Sequence, residues 1–408
     1  MTDHRYRAGR YVTQTAGYRA FIPKPLPPEP SLIETDEFRR LLSDADRALG
    51  RLDGVASVLP NPNLFVAMYV RHEAVLSSQI EGTQSTLRDI LEYEAEGRIT
   101  DQPRDVAETV NYVTAMNRGL ERLATLPLSL RLIREIHGEL LKGVRGQRHQ
   151  PGEFRTTQNW IGPRNCTLNE AEFVPPPPHE IKQVLSDFEH FLQDRDSMPV
   201  LLHAGLAHAQ FETIHPFLDG NGRIGRLLIT LLLCERRVLQ MPLLYLSYYF
   251  KAHRSRYYDH LTAIRNDGHW EEWLRFFLLG VYQVSQAATD TARAILDLRE
   301  QHRKQLARSK YGQPLLDLLF QNPVVSVRDA ERFLGCAYVT ASNTITRLQK
   351  LGMLNEVTGK QRNRLFRYDP YIALFDRQAF PLQSEKDERE ATTHVQATIA
   401  RPANKRGH

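Results

Sequence analysis

The sequence predicts a mainly α protein: an all-helical bundle with a β-hairpin flap, followed by a small C-terminal winged helix-turn-helix domain. Apolar residues recur at helical spacing over most of residues 31–306. That periodicity breaks in one Gly-, Asn- and Pro-rich segment, and it changes to a shorter pattern after a charged, glycine-containing stretch near residue 307. A chain of 408 residues, at about 150 residues per domain, has room for two or three such domains.

Composition narrows the class of protein. With 41% hydrophobic and 25% charged residues, the chain has the makeup of a globular protein. Its longest strongly apolar run, residues 227–234, is far shorter than the roughly 20 residues that cross a bilayer, and no apolar stretch follows the charged first ten residues. We therefore expect no membrane span and a cytoplasmic location. The formal charge of +5 permits binding to phosphates or nucleic acid without requiring it. Cys166, Cys234 and Cys336 lack metal-ligand spacing, which favours free thiols.

The first 306 residues divide into three predicted regions. The proline-dense residues 23–30 predict an extended arm over 1–30, because proline fixes φ and lacks an N–H. A helical region over 31–100 and a larger helical domain over 101–306 follow, with apolar spacing such as Leu132, Ile136 and Leu140. Between residues 143 and 178 the glycines, asparagines and prolines around Trp160-Ile161 predict the flap.

The remaining residues predict the small domain, over 307–378. Leu315, Leu316 and Leu319 indicate a first helix. Ser326 is predicted to cap a second that ends near Gly335, and Thr340 a third that ends at Gly352. Residues 354–361 and 364–368 are typical of two strands around a basic turn, the wing. Residues 379–408 are polar and charged, and we expect a disordered tail.

The chemistry concentrates in residues 215–226, a loop that becomes a helix near Gly222. Its glycines and asparagine can turn the backbone so that N–H groups point outward, and the helix dipole adds positive charge, so a phosphate fits there. Arg223 and Arg226 lie on neighbouring positions of the first helical turn and can bind phosphate oxygens. Asp219 offers a hard oxygen ligand for Mg²⁺, and His215 can act as a base.

Residues 215–226 match the Fic family motif HPFxxGNGRxxR at every specified position, and the chain resembles that family of all-helical enzymes. The resemblance implies transfer of AMP from ATP, with Mg²⁺, to a Ser, Thr or Tyr hydroxyl of a target protein. In that interpretation His215 deprotonates the hydroxyl and Asp219 holds Mg²⁺. The remaining motif residues would bind the α-, β- and outer phosphates: Gly220, Asn221, Gly222, Arg223, Gly225 and Arg226.

Two flanking segments extend the resemblance. Residues 152–162 and 173–178 resemble the family flap that aligns the target as an added strand, although a surface hairpin without a partner is the alternative. Residues 246–258 resemble the region beside the adenine, where Tyr249, Tyr257 and Tyr258 could line the base. Ordinary core packing is the alternative for each of these tyrosines.

Residues 77–82, which we call the inhibitory segment, lie at the end of a helix predicted to start near Asn63 and stop at Gly82. Ser77-x-x-x-Glu81-Gly82 matches the Fic inhibitory motif [ST]xxxE[GN]. The resemblance implies that Glu81 pairs with Arg226 and excludes the ATP γ-phosphate, which inhibits the enzyme at rest. In some relatives the equivalent glutamate instead helps remove AMP, so a deAMPylase or bifunctional enzyme stays open. Read alone, Glu81 would be a solvent-facing carboxylate.

The third helix and the wing are basic. Residues 344–367 hold six basic side chains against the single acid Glu356. Candidate DNA contacts are Arg347, Lys350, Arg364 and Arg367 for phosphates, with Thr340, Ser342, Asn343 and Thr346 near base edges. Such modules also dock proteins or form homodimers. The alternatives to AMP transfer are therefore a DNA-binding regulator with a Fic sensor domain and transfer of another phosphate-containing group. The layout with an N-terminal inhibitory helix and a C-terminal winged helix is one found in bacterial Fic proteins.

Overall fold

The computed structural model describes residues 6–57, 62–96, 104–163, 166–359 and 361–376. The predicted mainly α fold is confirmed. Within these ranges no helix is both long and apolar enough to cross a membrane. The predicted disordered tail lies outside the described residues. In chain order the elements are β1 Gly9–Thr13, β2 Arg19–Pro23, α1 Asp36–Ser57, α2 Pro62–Ile80, α3 Leu87–Glu96, α4 Arg104–Arg122, α5 Leu130–Leu140, α6 Ile181–Gln193, α7 Val200–Ile214, α8 Asn221–Glu235, α9 Ser247–Ala252, α10 Arg254–Asp267, α11 Trp270–Gln305, α12 Gly312–Gln321, β3 Val324–Ser326, α13 Val327–Leu334, α14 Tyr338–Lys350, β4 Asn355–Glu356, β5 Leu365–Arg367 and α15 Asp369–Asp376.

The N-terminal arm is a β-hairpin rather than a simple extended segment. β1 and β2 pair antiparallel, from Gly9 opposite Pro23 to Thr13 opposite Arg19. Phe21 is fully buried, and its N–H donates to the Val174 carbonyl at 2.9 Å, which ties the hairpin to the flap region. The prediction of an arm rested on prolines that begin only at residue 23 and missed the strand pair before them.

Two almost fully buried helices form the centre of the bundle. α7 and α8 pack against each other, and α7 also packs against α6 and α11. Of α7, every residue from Leu201 to Ile214 is buried, as expected for a helix surrounded on all sides. The loop of residues 215–220 joins these two helices, so the predicted chemical centre is attached to the buried centre of the bundle.

The predicted β-hairpin flap has one isolated β-bridge among its described residues. Ile161 and Phe173 pair antiparallel, with N–H···O distances of 2.8 and 3.0 Å. Trp160 and Ile161 remain exposed on its outer side. The surrounding residues are irregular apart from two short 3-10 turns, as the glycines and prolines predict.

Residues 312–376, which we call the C-terminal unit, combine four helices with a three-stranded antiparallel sheet in the order β3-β5-β4. Ser326 caps α13 as predicted, since its Oγ accepts from the Asp329 N–H at 3.2 Å, and Gly335 ends that helix at φ 58°. The predicted cap at Thr340 is wrong. α14 begins three residues earlier because Ala337 is already extended, and Thr340 lies inside the helix. The sequence did not predict α15, which buries Tyr371, Ile372 and Phe375.

Candidate active site

The loop between α7 and α8 is fixed by the side chain of Asn221. His215, at φ 50°, ends α7 in the left-handed region, and Gly220, at φ 77°, precedes α8. The Asn221 Oδ1 accepts from the Phe217 N–H, and its Nδ2 donates to the Phe217 carbonyl, both at 2.8 Å. This buried amide therefore holds the loop with one N–H and one oxygen lone pair, and its predicted contact with phosphates stays a prediction.

Two residues of the flap region hold the same loop from the other side. The Arg155 Nε donates to the His215 carbonyl at 2.9 Å, and the backbone N–H of Arg155 donates to the Pro216 carbonyl at 2.9 Å. Asn159 Nδ2 donates to the Phe217 carbonyl at 2.8 Å. Sequence reasoning placed both residues in the flap but missed this support, because neither lies within the motif.

His137 supports the loop from α5 and was also missed. Its ring stacks on Phe217 at 3.7 Å with an interplanar angle of 5°. Its Nδ1 accepts from the Gly152 N–H at 2.8 Å, so Nε2 carries the proton and donates to the Asp219 carbonyl at 3.0 Å. Burial lowers the pKa of His137 to about 4, which keeps this arrangement neutral.

His215 is half-buried and neutral near physiological pH. Burial, reinforced by the positive charge of Arg155, lowers the pKa of His215 to about 4. Its Nδ1 lies 3.4 Å from the Glu212 carbonyl and can donate to it, which leaves Nε2 as the acceptor. The side chain can therefore take a proton from a group placed at Nε2.

The first turn of α8 presents an anion site beside His215. The first helical bond of α8 runs from the Ile224 N–H to the Gly220 carbonyl at 3.0 Å, so the amides before Ile224 have no helical partner. Arg223 is buried, with Nη1 3.4 Å from Glu108 and Nη2 3.5 Å from Asp219. Its Nε has no hydrogen-bond partner among the described residues. Unpaired donors and the positive end of a helix dipole both favour an anion here.

The inhibitory segment reaches Arg226. The Arg226 Nε donates to Ser77 Oγ at 2.8 Å, and Nη2 donates to the Ser77 carbonyl at 3.0 Å and to Glu81 Oε1 at 2.6 Å. A Cβ at Gly222 would collide with Glu81 Oε1, so the carboxylate lies directly against the first turn of α8. Burial alone would raise the pKa of Glu81, but the charge of Arg226 outweighs it and lowers that pKa. Gly82, at φ 97°, follows as the predicted helix stop.

Two further carboxyl groups lie near the site and were not predicted. Glu73, on α2, accepts from the Ser247 hydroxyl and from the Ser247 N–H, the latter at 3.1 Å, and from the Tyr112 hydroxyl at 3.3 Å. Glu212, on α7, has an Oε1 without a hydrogen-bond partner in the described structure. Burial raises the pKa of both to about 7. No motif marks them, and only the packing of α2 and α7 identifies them as buried.

Asp219 lies at the edge of the anion site. Its Oδ1 accepts from the Gly220 N–H at 2.7 Å, and its Oδ2 lies 3.6 Å from His149 Nδ1. Among the described residues no cluster of three or more His, Cys, Asp or Glu side chains could form a metal cage. Mg²⁺ bound with nucleotides usually takes one or two carboxylates together with the phosphates, and Asp219 fits that kind of ligand.

The three predicted adenine-side tyrosines separate into two groups. Tyr249 packs against Phe276 with ring centroids 4.9 Å apart, and the Tyr257 hydroxyl lies 2.8 Å from His208 Nε2. Both rings are buried and pack in the core, and their predicted place beside the adenine stays a prediction. Tyr258 is exposed, with the Arg254 guanidinium 5.7 Å from its ring.

The predicted DNA contacts in the C-terminal unit are not equivalent either. Arg347, Lys350 and Arg364 are exposed. Arg367 is half-buried and pairs with Glu92 of α3 at 2.6 Å and with Asp369 at 2.5 Å. These two carboxylates occupy Arg367, so it is a contact between parts of the chain rather than an open phosphate contact.

Two stretches of the chain, which include the site, resemble Fic-family domains. Residues 39–121 match the profile described as Fic/DOC family N-terminal, and residues 127–233 match the profile of the Fic/DOC family. The resemblance that the motif predicts therefore extends over residues 39–121 and 127–233.

Several known proteins resemble the chain over part of their length. It is 31% identical over 258 residues to the protein adenylyltransferase Fic of Drosophila grimshawi, covering 61% of this chain and 47% of that protein. A probable protein adenylyltransferase of Aquifex aeolicus is 29% identical over 183 residues, covering 43% and 52%. The chain spans about half the length of these curated relatives. The crystal structure of a Fic family protein from Desulfovibrio desulfuricans, 18% identical, superposes with a TM-score of 0.53 over 83% of this chain and 98% of that one, which supports the fold.

Proposed function

We propose that this protein is a protein adenylyltransferase that transfers AMP from ATP to a Ser, Thr or Tyr hydroxyl of a target protein. The observation that carries the proposal is a neutral His215 beside an anion site made by the first turn of α8. The names of the curated relatives support the same activity. Residues 101–306 would form the catalytic domain and residues 31–100 the inhibitory region. A cytoplasmic location, where ATP is abundant, stays a prediction.

The transfer is a single displacement at the α-phosphorus. His215 Nε2 takes the proton of the target hydroxyl, whose oxygen forms a bond to the α-phosphorus while the bond to the bridging oxygen of the β-phosphate breaks. Pyrophosphate leaves with that electron pair. Because such transfers depend on positioning and charge neutralisation, the amides of Gly222 and Arg223 and the unpaired Arg223 Nε are the groups that would stabilise the phosphates.

Asp219 would hold Mg²⁺ at this site. The ion, when bound, neutralises phosphate charge. Asp219 suits that role because it lies beside Gly220 at the start of α8, with its Oδ2 3.6 Å from His149 Nδ1. His137 keeps the Asp219 backbone in place by donating to its carbonyl.

Glu81 would inhibit the enzyme at rest. Arg226 donates to Ser77 and Glu81 with both Nε and Nη2, so these donors are not free for an outer phosphate. The Glu81 carboxylate, placed against Gly222, also repels a triphosphate approaching the same turn. ATP that binds without these contacts would be held out of line for attack.

Labelled ATP tests the activity. Incubation with candidate targets and either α-labelled or γ-labelled ATP should leave label on protein only from the α position. Label from the γ position alone would show phosphate transfer and contradict the proposal. Release of AMP from a modified target by the same protein would instead establish the deAMPylase or bifunctional alternative.

A second function, DNA binding, is favoured by the C-terminal unit. The order α12, β3, α13, α14, β4, β5 is that of a winged helix-turn-helix, in which the third helix enters the major groove. α14 contains no acidic residue and exposes Val339, Asn343, Arg347 and Lys350 along one face. These side chains match apolar, amide and cationic contacts to DNA.

Salt dependence tests this second function. In the full chain, Arg347→Ala with Arg364→Ala should weaken duplex binding and flatten its salt dependence, because fewer counterions are released. Arg367→Ala, which loses only contacts within the chain, is the matched control and should leave the salt slope unchanged. Absence of salt-sensitive duplex binding would remove the DNA hypothesis, and a concentration-dependent dimer in sedimentation would favour homodimerisation through this unit instead.

A further inference from the structure

The C-terminal unit contacts the same helix that carries the inhibitory segment. On α2, Tyr69 and His72 each meet the ring of Phe375 edge-on, with centroids 5.3 and 5.6 Å apart and interplanar angles of 79° and 85°. Phe375, on α15, is 2% exposed. The helices α2 and α12 also pack together. The middle of α2 therefore contacts the C-terminal unit, while its C-terminal end contacts Arg226.

Ion pairs also connect the C-terminal unit to α3, the helix that follows the inhibitory segment. Arg367 pairs with Glu92 at 2.6 Å, and Asp376 pairs with Arg88 at 3.0 Å. β3 of the C-terminal unit packs against α3 as well. α3 follows the inhibitory segment after a short turn, so the C-terminal unit contacts the elements on both sides of that segment.

The path from Phe375 to Glu81 is short and stiff. Tyr69 and Ser77 are eight residues apart on one helix, about 12 Å at 1.5 Å per residue. Between them Glu73 is fixed by Ser247 and Tyr112, and all three of these side chains are buried or nearly so. Because these residues lie on one continuous helix, a change in packing at Tyr69 and His72 alters the position of Ser77 and of Glu81, which follows the helix.

We infer that Phe375 is a positioning residue for Glu81: the C-terminal unit holds α2 against Arg226, and a partner that draws α15 away from α2 relieves the inhibition. This inference rests on the proposed inhibitory role of Glu81. Arg367 and Asp376 support the same contact by tying α3 to the unit. Because the exposed face of α14 belongs to this unit, a ligand bound there is in a position to control AMP transfer.

Removing the ring tests the inference. Phe375→Ala in the full chain should raise incorporation from α-labelled ATP about fivefold, since two aromatic contacts to α2 are lost. Phe366→Ala is the matched control: this ring is buried to a similar degree in β5 of the same unit and carries the Arg364 guanidinium 5.4 Å away. The control should leave incorporation at the wild-type level. All variants are compared at equal folded concentration, with ATP affinity measured alongside.

The double variant with Phe375→Ala and Glu81→Gly distinguishes an effect of Phe375 on the position of Glu81 from a general loss of protein stability. If Phe375 acts through Glu81, the double variant should match Glu81→Gly alone. Unchanged incorporation in Phe375→Ala, an equal rise in Phe366→Ala, or a further rise in the double variant would overturn the inference. If neither wild type nor Glu81→Gly leaves α-label on protein, the proposed function is refuted. The ATP affinities of Phe375→Ala and of its double variant with Glu81→Gly would then still test whether Phe375 acts through Glu81.

A charge reversal covers the case in which Phe375→Ala does not fold. Arg88→Glu should raise incorporation about twofold, and Arg88→Glu with Asp376→Lys should restore the wild-type level, because the pair is exposed and can be rebuilt with opposite signs. No rise in the single variant, or no return in the double variant, would count against the coupling.

Discussion

Glu81→Gly changes the contact that distinguishes the resting site from an open one. The substitution removes the carboxylate that accepts from Arg226 Nη2 at 2.6 Å and lies against Gly222. It leaves Ser77 in place and adds no side chain to the anion site. Because Glu81 follows the last residue of α2, glycine at this position does not interrupt the helix. We expect higher AMP incorporation, including self-modification, and tighter ATP binding.

The size of the effect follows from the lost ion pair. A hydrogen bond to a charged group contributes about 1.5–3 kcal/mol, and the Glu81 side chain is 39% exposed while Arg226 is 2% exposed. Solvent screening of the carboxylate favours the lower end of that range. At about 1.4 kcal/mol per factor of ten, ATP should bind about tenfold more tightly. Glu81→Gln keeps the size and an acceptor without the charge, and its affinity should fall between wild type and Glu81→Gly.

The assay compares α-labelled ATP incorporation and ATP affinity at matched folded concentration. Glu121→Gly is the matched control, since Glu121 also pairs with an arginine near a helix end, Arg118 at 3.2 Å, but in α4. Adding Arg226→Ala to Glu81→Gly should reduce ATP affinity again, because the phosphate then loses its cation. Equal incorporation by wild type and Glu81→Gly would refute the inhibitory role, and undiminished affinity with Arg226→Ala would refute its phosphate role.

Three further predictions use the same structure. His215→Ala should lower transfer about 10²–10⁴-fold with ATP affinity unchanged, and wild-type transfer by the folded variant would exclude His215 as the base. Asn221→Ala should destabilise the protein without nucleotide by about 1–3 kcal/mol, because the buried Phe217 N–H loses its acceptor while the Phe217 carbonyl keeps only Asn159, whereas a residue that only bound phosphate would leave the denaturant midpoint unchanged. Between pH 6.5 and 4.5 the six buried groups named next should make the unfolded chain bind more protons than the folded one, so that in urea titrations the unfolding free energy decreases as pH falls. Glu73 and Glu212, with pKa raised to about 7, take up protons only when folded, but four histidines with pKa lowered to about 4 or below take them up only when unfolded: His72, His137, His208 and His215. A midpoint independent of pH in this window would show that these six groups are not buried as described.

Most helices followed from the sequence because their patterns are local. Apolar spacing and terminal glycines predicted α2, α7, α8 and α11 within a few residues. The N-terminal hairpin and α15 were not predicted, because each is stabilised by residues distant in sequence: Phe21 contacts the flap region, and Phe375 contacts α2. Such contacts leave no signature in a ten-residue window.

The sequence predicted the parts of the candidate site in which a motif specifies the residues. It did not predict the parts in which burial determines what a side chain contacts. The spacing of Ser77 and Glu81 identified the segment that reaches Arg226. The side chain of Asn221, however, is directed into the loop, and Tyr249 into the core. A motif states which residue is required at a position but not whether its side chain faces the ligand or holds the backbone.

Gly222 gives a physical reason for the proposal that inhibition and nucleotide binding share one turn of helix. Without a Cβ there, the Glu81 carboxylate can lie against the α8 backbone and reach Arg226, and a phosphate can approach the same amides once that carboxylate leaves. The features that admit an anion to this turn, an open backbone and a buried arginine, therefore also admit the inhibitory carboxylate. Loss of Glu81 removes inhibition alone, whereas a side chain at Gly222 would obstruct the carboxylate and the phosphate together. In the mechanism we propose, the inhibitory segment competes with the phosphate for this turn, and contacts that position α2 set the outcome of that competition.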